Sequence, residues 1–493
     1  CAVISQPFSG FCSMSVSDAE YQAWLKDDNQ ERAVLVEAKY YDTSEKVRYM
    51  ATHSFVSKPT DTPANIVYDD LIVSVPSIQS QVGMAFGVGD IDLVNDGSLD
   101  VWLNDAWDGR GLSLLIGDPT WARDDFRQIA SLVTESFEVV NNNKMRLRVR
   151  DKREKLNINT QNNYYTSGEA FGKPIPLTVG QVFNLTPVLI NASTHQYQVH
   201  DGQINAITDV RDNGVSVSFT ANLTTGTFVL SSQPSGVITC DVQGAKPSGT
   251  YHTKTADIVE YLSKREALVT ADIDAASIAS FNTTVPYAVG FYIASRQNLI
   301  SVIDKLMNSV GAYWLFNRAG KMVLWQLNNL TNSPSAYFDS DDVLDNTFKF
   351  VSSNLPYARA AIGYHKNFTR QTNLAGSVNE ANRNLYQGDN LISTADNSSI
   401  ITAHPLAVKP EPLDTLITTL TNANTESARV LALNNAVRFV YEATFSTGPF
   451  EIKLGDEISV IYPRFGFENG KNVIVVGLDE QPSSNKIKVR FTL

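Results

Sequence analysis

The chain has 493 residues, is 43% hydrophobic and 19% charged, and carries a formal net charge of −12. That length predicts three or four domains, the acidity argues against a protein that wraps nucleic acid, and no window approaches the run of about 18 apolar residues that a membrane helix needs. Three cysteines, Cys1, Cys12 and Cys240, cannot all pair within one chain, so a disulfide scaffold is excluded and a reducing compartment is the simpler reading.

The segment Cys1 to Pro7 lacks the basic start and long apolar run of a secretion signal. Met14 opens Met-Ser-Val-Ser-Asp, a natural translation start. Residues 1–20 are expected to form an N-terminal arm. No histidine lies between Cys1 and Cys12, so a metal site there needs ligands from elsewhere; ordinary thiols are the plainer expectation. Ala19, Tyr21, Trp24 and Leu25 then hint at a short helix, with Ser15 or Ser17 as its cap.

Strands dominate the chain beyond this helix. Ala33 to Tyr41 and Val47 to Ala51 flank a turn at Asp42-Thr43-Ser44-Glu45. Val67 to Ser74 reads as a strand, and Ile91, Leu93, Leu99, Val101 and Leu103 predict two more. Leu132 to Val140 and Met145 to Val149 form a hairpin across Asn141-Asn142-Asn143. Residues 151–171 read as a polar linker. Gly172 to Asp241 is a compact β unit of seven short strands punctuated by glycines, including Gly180 and Gly202, which predicts a small barrel or sandwich.

An α+β unit comes next. Thr255 to Lys264 and Gln297 to Ser309 read as helices, the second with a stripe of Leu299, Ile300, Ile303, Leu306 and Met307 and a stop at Gly311. Ala312 to Phe316 and Met322 to Leu327 pair across Asn317 to Lys321. Ala360 to Tyr364 is a strand, and Asn373 to Asn397 reads as a polar, charge-mixed, mobile insertion. The tail from Thr425 reads as a helix capped by Asn424 or Thr425. Strands come after it: one through Val437 to Phe445, a turn at Gly448-Pro449, an alternating Phe450, Ile452 and Leu454, and further strands to Leu493. This too predicts a small barrel or sandwich.

Three constellations bear on chemistry. Asp90, Asp92, Asn95, Asp96, Asp100, Asn104, Asp105 and Asp108 offer paired carboxylates for a cation or for acid–base work, but their spacing is not that of an EF-hand, and Asn95-Asp96-Gly97 and Asp108-Gly109 are strong turns. Lys144, Arg146, Arg148, Arg150, Lys152, Arg153 and Lys155 form a basic run with no interleaved aromatic; it suits a solvated face or ion pairs with acidic neighbours better than nucleic acid. Six histidines (His53, His195, His200, His252, His365 and His404) are scattered, and His195 and His200 flank one hairpin without a third ligand. The hydrolase nucleophile elbow, the phosphate-binding loop and the zinc-protease motif are absent. No catalytic, cofactor-binding or metal-binding residue is therefore assigned, and no cofactor is expected.

Three stretches carry a resemblance when taken in order. The first runs from Asn95-Asp96-Gly97 through Trp107-Asp108-Gly109-Arg110 and Gly117-Asp118-Pro119-Thr120-Trp121 to Arg150-Asp151-Lys152. The second is Gly172-Lys173-Pro174 to Asn191 with Tyr197 to Gly202, and the third is Ala360 to Tyr364 with Asn367, Glu426 to Arg429 and Leu454-Gly455-Asp456. Together they resemble the bacteriophage tail-hub, or baseplate-hub, proteins of the tail tip. The resemblance implies a β-rich α+β, multidomain fold: hub β domain one at 21–160, a β insertion domain at 161–250, an α+β domain at 251–345 and a closing hub β domain at 346–493. It implies a structural virion protein rather than an enzyme, a homotrimer in which two tube-like domains per subunit make a pseudo-sixfold ring. The implied partners are a distal tail or tail tube protein, a central tail fibre or spike and a tape measure protein. DNA passes only transiently through the channel, and the protein makes no stable membrane insertion. Two rival readings accompany it: an adhesin using residues 172–245, and a cell-wall hydrolase using an acid pair from Asp90 to Asp108.

Overall fold

The computed structural model describes residues 15–27, 29–83, 87–446, 450–484 and 486–493. Residues 1–14 of the expected arm, with Cys1 and Cys12, lie outside the described residues, as do the turn at Gly448-Pro449 and Asn485. The protein is β-rich, with a nine-stranded and an eight-stranded sheet, a small β sandwich, and an α+β part built on its own apolar core.

The first sheet has nine strands. Its middle is the series Ala33–Asp42, Gly111–Gly117, Arg127–Asn141 and Lys144–Asp151, all antiparallel. One end carries Val67–Asp70 and Phe55–Val56, the other Ile91–Val94 and Ile72–Ser74. Alternation places Val34, Val36, Leu112, Leu114, Leu147 and Val149 in one core. The helix Asp18–Lys26 covers this core with Tyr21, Trp24 and Leu25, and Ser17 caps it in a reciprocal box with Glu20. The alternation of Leu99, Val101 and Leu103 does not make a strand. Asn95 accepts hydrogen bonds from the backbone N–H of Gly97 and Leu99, and this turn leads into a 3-10 helix, Asp100–Asn104, which points Trp102 inward and leaves Val101 and Leu103 exposed.

Residues 177–245 form a two-sheet sandwich around one core. Leu177–Leu185, Ile204–Asp212, Val215–Ser216 and Ile238–Ala245 form one sheet with Gly290–Ile293, and Val188–Asn191, Gln196–Gln198, Phe219–Asn222 and Thr227–Leu230 form the other. Gly180 is not turn punctuation. It sits within its strand at φ +63° directly opposite Gly290, and a Cβ on either would strike the backbone carbonyl of the other strand. Two facing glycines let the sandwich strand and the α+β strand close up.

In the central layer, Leu299–Asn308 buries Leu299, Val302, Ile303, Leu306 and Met307, with Asn298 as its cap. Thr255–Glu266 and a helix that periodicity does not predict, Ala275–Thr284, complete the helical part of this layer. The polar stretch 373–397 also departs from expectation, because it holds the helix Glu380–Gln387 and the strand Leu391–Asp396. The Asn367 side chain donates to the carbonyls of Tyr386 at 2.8 Å and Gly388 at 2.7 Å and so closes this excursion. Residues 151–171 are not a simple linker either: Leu156, Thr160 and Gln161 are buried, and Gln161 donates to the Ile293 carbonyl at 2.7 Å.

The C-terminal helix is Leu420–Leu433, capped by Thr419 rather than by Asn424 or Thr425. Its polar first turns lie on the exposed side while Ala423 already enters the central core. The last sheet is ordered Ala336–Phe338, Glu457–Val460, Lys471–Glu480, Ile487–Thr492, Arg438–Phe445, Lys349–Asn354. Its core holds Phe445, Phe467, Val475, Val489 and Phe491. Phe450, Ile452 and Leu454 do not form a strand, because the edge of Lys471–Glu480 beyond Ile474 is taken by Ile78–Gln81, a strand supplied by the first half of the chain.

Candidate functional site

The acidic and basic runs meet each other. Strand Ile91–Val94 pairs with Lys144–Asp151 in a register that sets Asp92 opposite Arg146. Asp92 accepts from Arg146 at 2.8 Å and Lys144 at 2.7 Å, and the arginine hydrogen bond above all holds its carboxyl below the usual range. Arg148 pairs with Glu138, Arg150 with Glu135, Arg153 with Asp304 and Lys152 with Asp272. Of the remaining acids, Asp96 accepts from Ser98 N–H in a turn, Asp100 accepts from the Asn95 amide, and Asp105 pairs with Arg48. Asp90 also approaches Arg146, at 4.0 Å, so the two carboxylates that converge, Asp90 and Asp92, do so on a guanidinium. Among the described residues, no group of His, Cys, Asp and Glu is placed to hold a metal ion.

The histidines are equally dispersed. His200 is buried in the sandwich, where its Nδ1 accepts from the Thr178 N–H at 3.0 Å; burial, aided by Arg265, lowers its pKa to about 3. His365 stacks on Phe183 with ring centroids 3.6 Å apart. His195 sits at a turn with φ +52°.

The residues that carried the sequence resemblance hold junctions. Trp107 is buried and donates to the Trp102 carbonyl at 2.9 Å. Asp118 accepts from the Trp24 indole at 3.3 Å and the Thr120 hydroxyl at 2.6 Å. Asp151 caps the turn after its strand, and Lys152 reaches the Gly320 carbonyl at 2.7 Å in the α+β hairpin. Asn367 accepts from Asn184 of the sandwich at 2.8 Å. Arg429 pairs with buried Glu426 and donates to the Leu327 carbonyl at 2.6 Å. In Leu454-Gly455-Asp456, Gly455 N–H donates to the Val475 carbonyl and Val475 N–H to the Asp456 carbonyl, each at 2.9 Å.

The densest junction was not legible in the sequence. Ile78–Gln81 leaves the first half of the chain and adds to Lys471–Glu480, with Ile78 opposite Glu480 and Gln81 opposite Gly477. Arg490 donates to the Gln81 side chain at 3.2 Å and Gln79 donates to Asp479 at 3.2 Å. Beside it, Arg318 of the α+β hairpin donates to the carbonyls of Phe450 at 2.7 Å and Ile452 at 2.9 Å and forks onto Glu480 at 2.8 and 2.9 Å. Gln128 of the first sheet donates to the Arg318 carbonyl at 2.7 Å. Glu480 is 2% exposed, so this ion pair works in a low-dielectric setting. A cleft of about 610 Å³ opens next to it, lined by Ser277, Arg318, Trp325, Leu454 and Glu480 among others.

The surface carries two kinds of unsatisfied feature. All six residues of Lys349–Asn354 are exposed, although they form the end strand of an eight-stranded sheet. Phe350 and Phe439 stand out from that end with ring centroids 6.4 Å apart. The far end of the first sheet exposes Val56 and Val67, which face each other across its last strand pair.

No family model matches the chain, and no curated protein matches it. Solved structures do. The tail protein from Neisseria meningitidis MC58 is 9% identical, with 94% of this chain and 96% of that chain covered at a TM-score of 0.39. The 43 kDa tail protein of prophage MuSo2 from Shewanella oneidensis is 9% identical, with 93% and 98% covered at 0.40. Prophage tail protein gp18 from Listeria monocytogenes EGD-e is 10% identical, with 93% and 94% covered at 0.44. The chain is thus similar to tail proteins over 93 to 94% of its length.

Proposed function

We propose that the protein is a structural component of a bacteriophage tail tip: a homotrimeric hub that surrounds the DNA channel and joins a sixfold tail tube or distal-tail ring to a threefold central fibre or spike. The observation that carries this reading is the strand Ile78–Gln81, which pairs with Lys471–Glu480 of the C-terminal sheet while Ile78 lies in the core of the first sheet, so the two sheet units of one chain are fastened together. Three such segments, each with two sheet units, make a ring with six units. The buried Arg318–Glu480 pair and its backbone contacts stiffen the same junction, as a load-transmitting ring requires. The motif residues support a scaffold role, since each caps, clamps or pairs rather than lining a reaction centre. The acidic composition suits a channel through which DNA slides without sticking. In this reading the protein resides in the virion tail after assembly in the host cytoplasm. It contacts a distal tail or tube protein above, a fibre or spike below and the tape measure protein in the channel.

Mass measurement by light scattering across a dilution series, with imaging of the free protein and of whole particles, tests the proposal. The expected result is a threefold ring with a central hole at the tail tip. A folded monomer with no place in the particle refutes it.

A further inference from the structure

Strand Lys471–Glu480 changes partner partway along one edge. Up to Ile474 it pairs with Glu457–Val460, and Val475 is still held by that neighbour, through the Gly455 N–H and the Asp456 carbonyl. From Val476 on, the edge belongs to the first half of the chain. The Val476 carbonyl accepts from the Val82 N–H at 3.0 Å, and Gly477, Leu478 and Asp479 face Gln81, Ser80 and Gln79. Two strands thus meet end to end on one edge.

The segment that leaves this edge, residues 450–454, is built to continue along it. Its apolar residues alternate, and Ile452 and Leu454 already pack with Ile458 in the core of the C-terminal sheet. Carried back past Asp456, the antiparallel pairing of Glu457–Val460 runs along Gly477, Leu478 and Asp479, the residues that Ile78–Gln81 occupies. Three features hold the segment off. Gly455, at φ +86°, turns it away. The Phe450 N–H donates to Glu480, and the carbonyls of Phe450 and Ile452 accept from Arg318 at 2.7 and 2.9 Å. Phe450 itself is held at φ +65°, a left-handed conformation that a bulky side chain avoids and that a strand relieves.

We infer that this junction is a strand-exchange switch: residues 450–454 displace Ile78–Gln81 from Lys471–Glu480 and so uncouple the first sheet unit from the C-terminal sheet. Ladder hydrogen bonds lost by one segment are made by the other, so the edge is not left bare. What changes is the tie between cores, because Ile78 and Phe450 both sit in the first core and both withdraw from it. That lost burial keeps the joined state the major one in the free chain, and the Arg318–Glu480 pair is its latch. The exchange takes place within one chain and does not depend on the ring reading above. In that reading it gives each segment a joint that opens without unfolding either sheet.

Amide exchange on the full chain, read by mass spectrometry of overlapping peptides, tests the switch. Ser80→Pro takes a ladder donor out of Ile78–Gln81, since Ser80 and Val82 face the same edge. Arg318→Met opens the latch without touching that strand. In each variant exchange is expected to quicken by about tenfold or more at 78–82 and to slow by a similar factor at 451–454, while 477–480 stays protected. Gln79→Cys with Asp479→Cys, at positions whose side chains meet at 3.2 Å, locks the joined state when oxidised. Added to Arg318→Met, it is expected to cancel both changes, and reduction restores them. Protection lost at 78–82 and 477–480 together, with none gained at 451–454, shows a bare edge and overturns the switch, as does unchanged exchange in both variants. If Ser80→Pro fails to fold, Arg318→Met with and without the disulfide decides alone.

Discussion

Replacing Arg318 by alanine removes two hydrogen bonds to backbone carbonyls and the fork onto Glu480, whose side chain is 3% exposed. The carboxylate keeps the Phe450 N–H as a donor but loses its countercharge. Breaking a buried pair by deleting one partner costs about 3–5 kcal/mol, and Arg318 is itself about a quarter exposed, at 27%, which places the expectation at the lower end. For a cooperative unit of roughly 150 residues or more, a loss of about 3 kcal/mol corresponds to a fall of about 6–12 °C in the transition that reports the C-terminal sheet. Arg318→Lys keeps the charge but offers one nitrogen where Arg318 uses two, Nη1 on the Phe450 carbonyl and Nη2 on the Ile452 carbonyl and Glu480, and is expected to cost about 1–2 kcal/mol. The double variant Arg318→Met with Glu480→Leu is expected to recover only the part of the loss that comes from the stranded charge, because the Phe450 and Ile452 carbonyls and the Phe450 N–H still lose their partners. The readouts are calorimetry and amide exchange at 450–456 and 477–480. The reasoning fails if Arg318→Ala is no worse than Arg318→Lys, or if the apolar pair is as damaging as the single truncation.

Other perturbations probe the same fold elsewhere. Gly311 holds φ +59°, and a Cβ there would strike an Arg429 guanidinium nitrogen; Gly311→Ala is expected to destabilise by about 1–3 kcal/mol through backbone strain alone and to disturb the Glu426–Arg429 pair, measurable by chemical denaturation. His200 binds its proton in the folded state only at about pH 3, whereas the unfolded chain takes it up near 6.5, so between those values the unfolded state holds more protons. Stability therefore falls on acidification through that window, by up to about 1.4 kcal/mol per pH unit from this residue, and His200→Gln should flatten the melting-temperature profile there. Asn367→Ala strands the Gly388 carbonyl and leaves the Tyr386 carbonyl with the Gln371 N–H alone; limited proteolysis is expected to cut within 373–397 faster than in wild type.

Much of the fold was legible where local signals and burial agree. The Leu299–Asn308 stripe, the hairpin around Asn141 to Asn143 and most short strands of the sandwich lie where periodicity and turn residues put them, whereas the stretch 215–222 divides into two strands that join different sheets. The helix Ala275–Thr284 escapes a local reading because, despite its three alanines, AASIASFNTT buries only Ile278 and Phe281 and so shows no apolar stripe. Its start is fixed by the Asp274 side chain accepting from Ser277 N–H, a signal present in the sequence but faint. The 373–397 excursion resembles a mobile loop in sequence because its order comes from partners outside it: Leu391–Asp396 pairs with Arg359–Tyr364, and the Asn367 side chain holds the Tyr386 and Gly388 carbonyls.

Phe450, Ile452 and Leu454 show why the candidate site was less legible than the fold. These residues alternate as a strand should, and a local reading has no reason to refuse them the edge of Lys471–Glu480. That edge belongs to Ile78–Gln81, roughly four hundred positions away, where Gln79 meets Asp479 with a separation of 400. Denied the ladder, residues 450–452 turn their carbonyls to Arg318 instead, and the half-buried arginine and buried Glu480 become necessary to satisfy backbone that no strand partner reaches. The short-range pattern and the long-range pairing compete for one strand edge, and the long-range strand wins because it also joins two separate cores. The strand that links the first core to the C-terminal sheet is thus the same feature that sequence periodicity, limited to neighbours along the chain, misassigns.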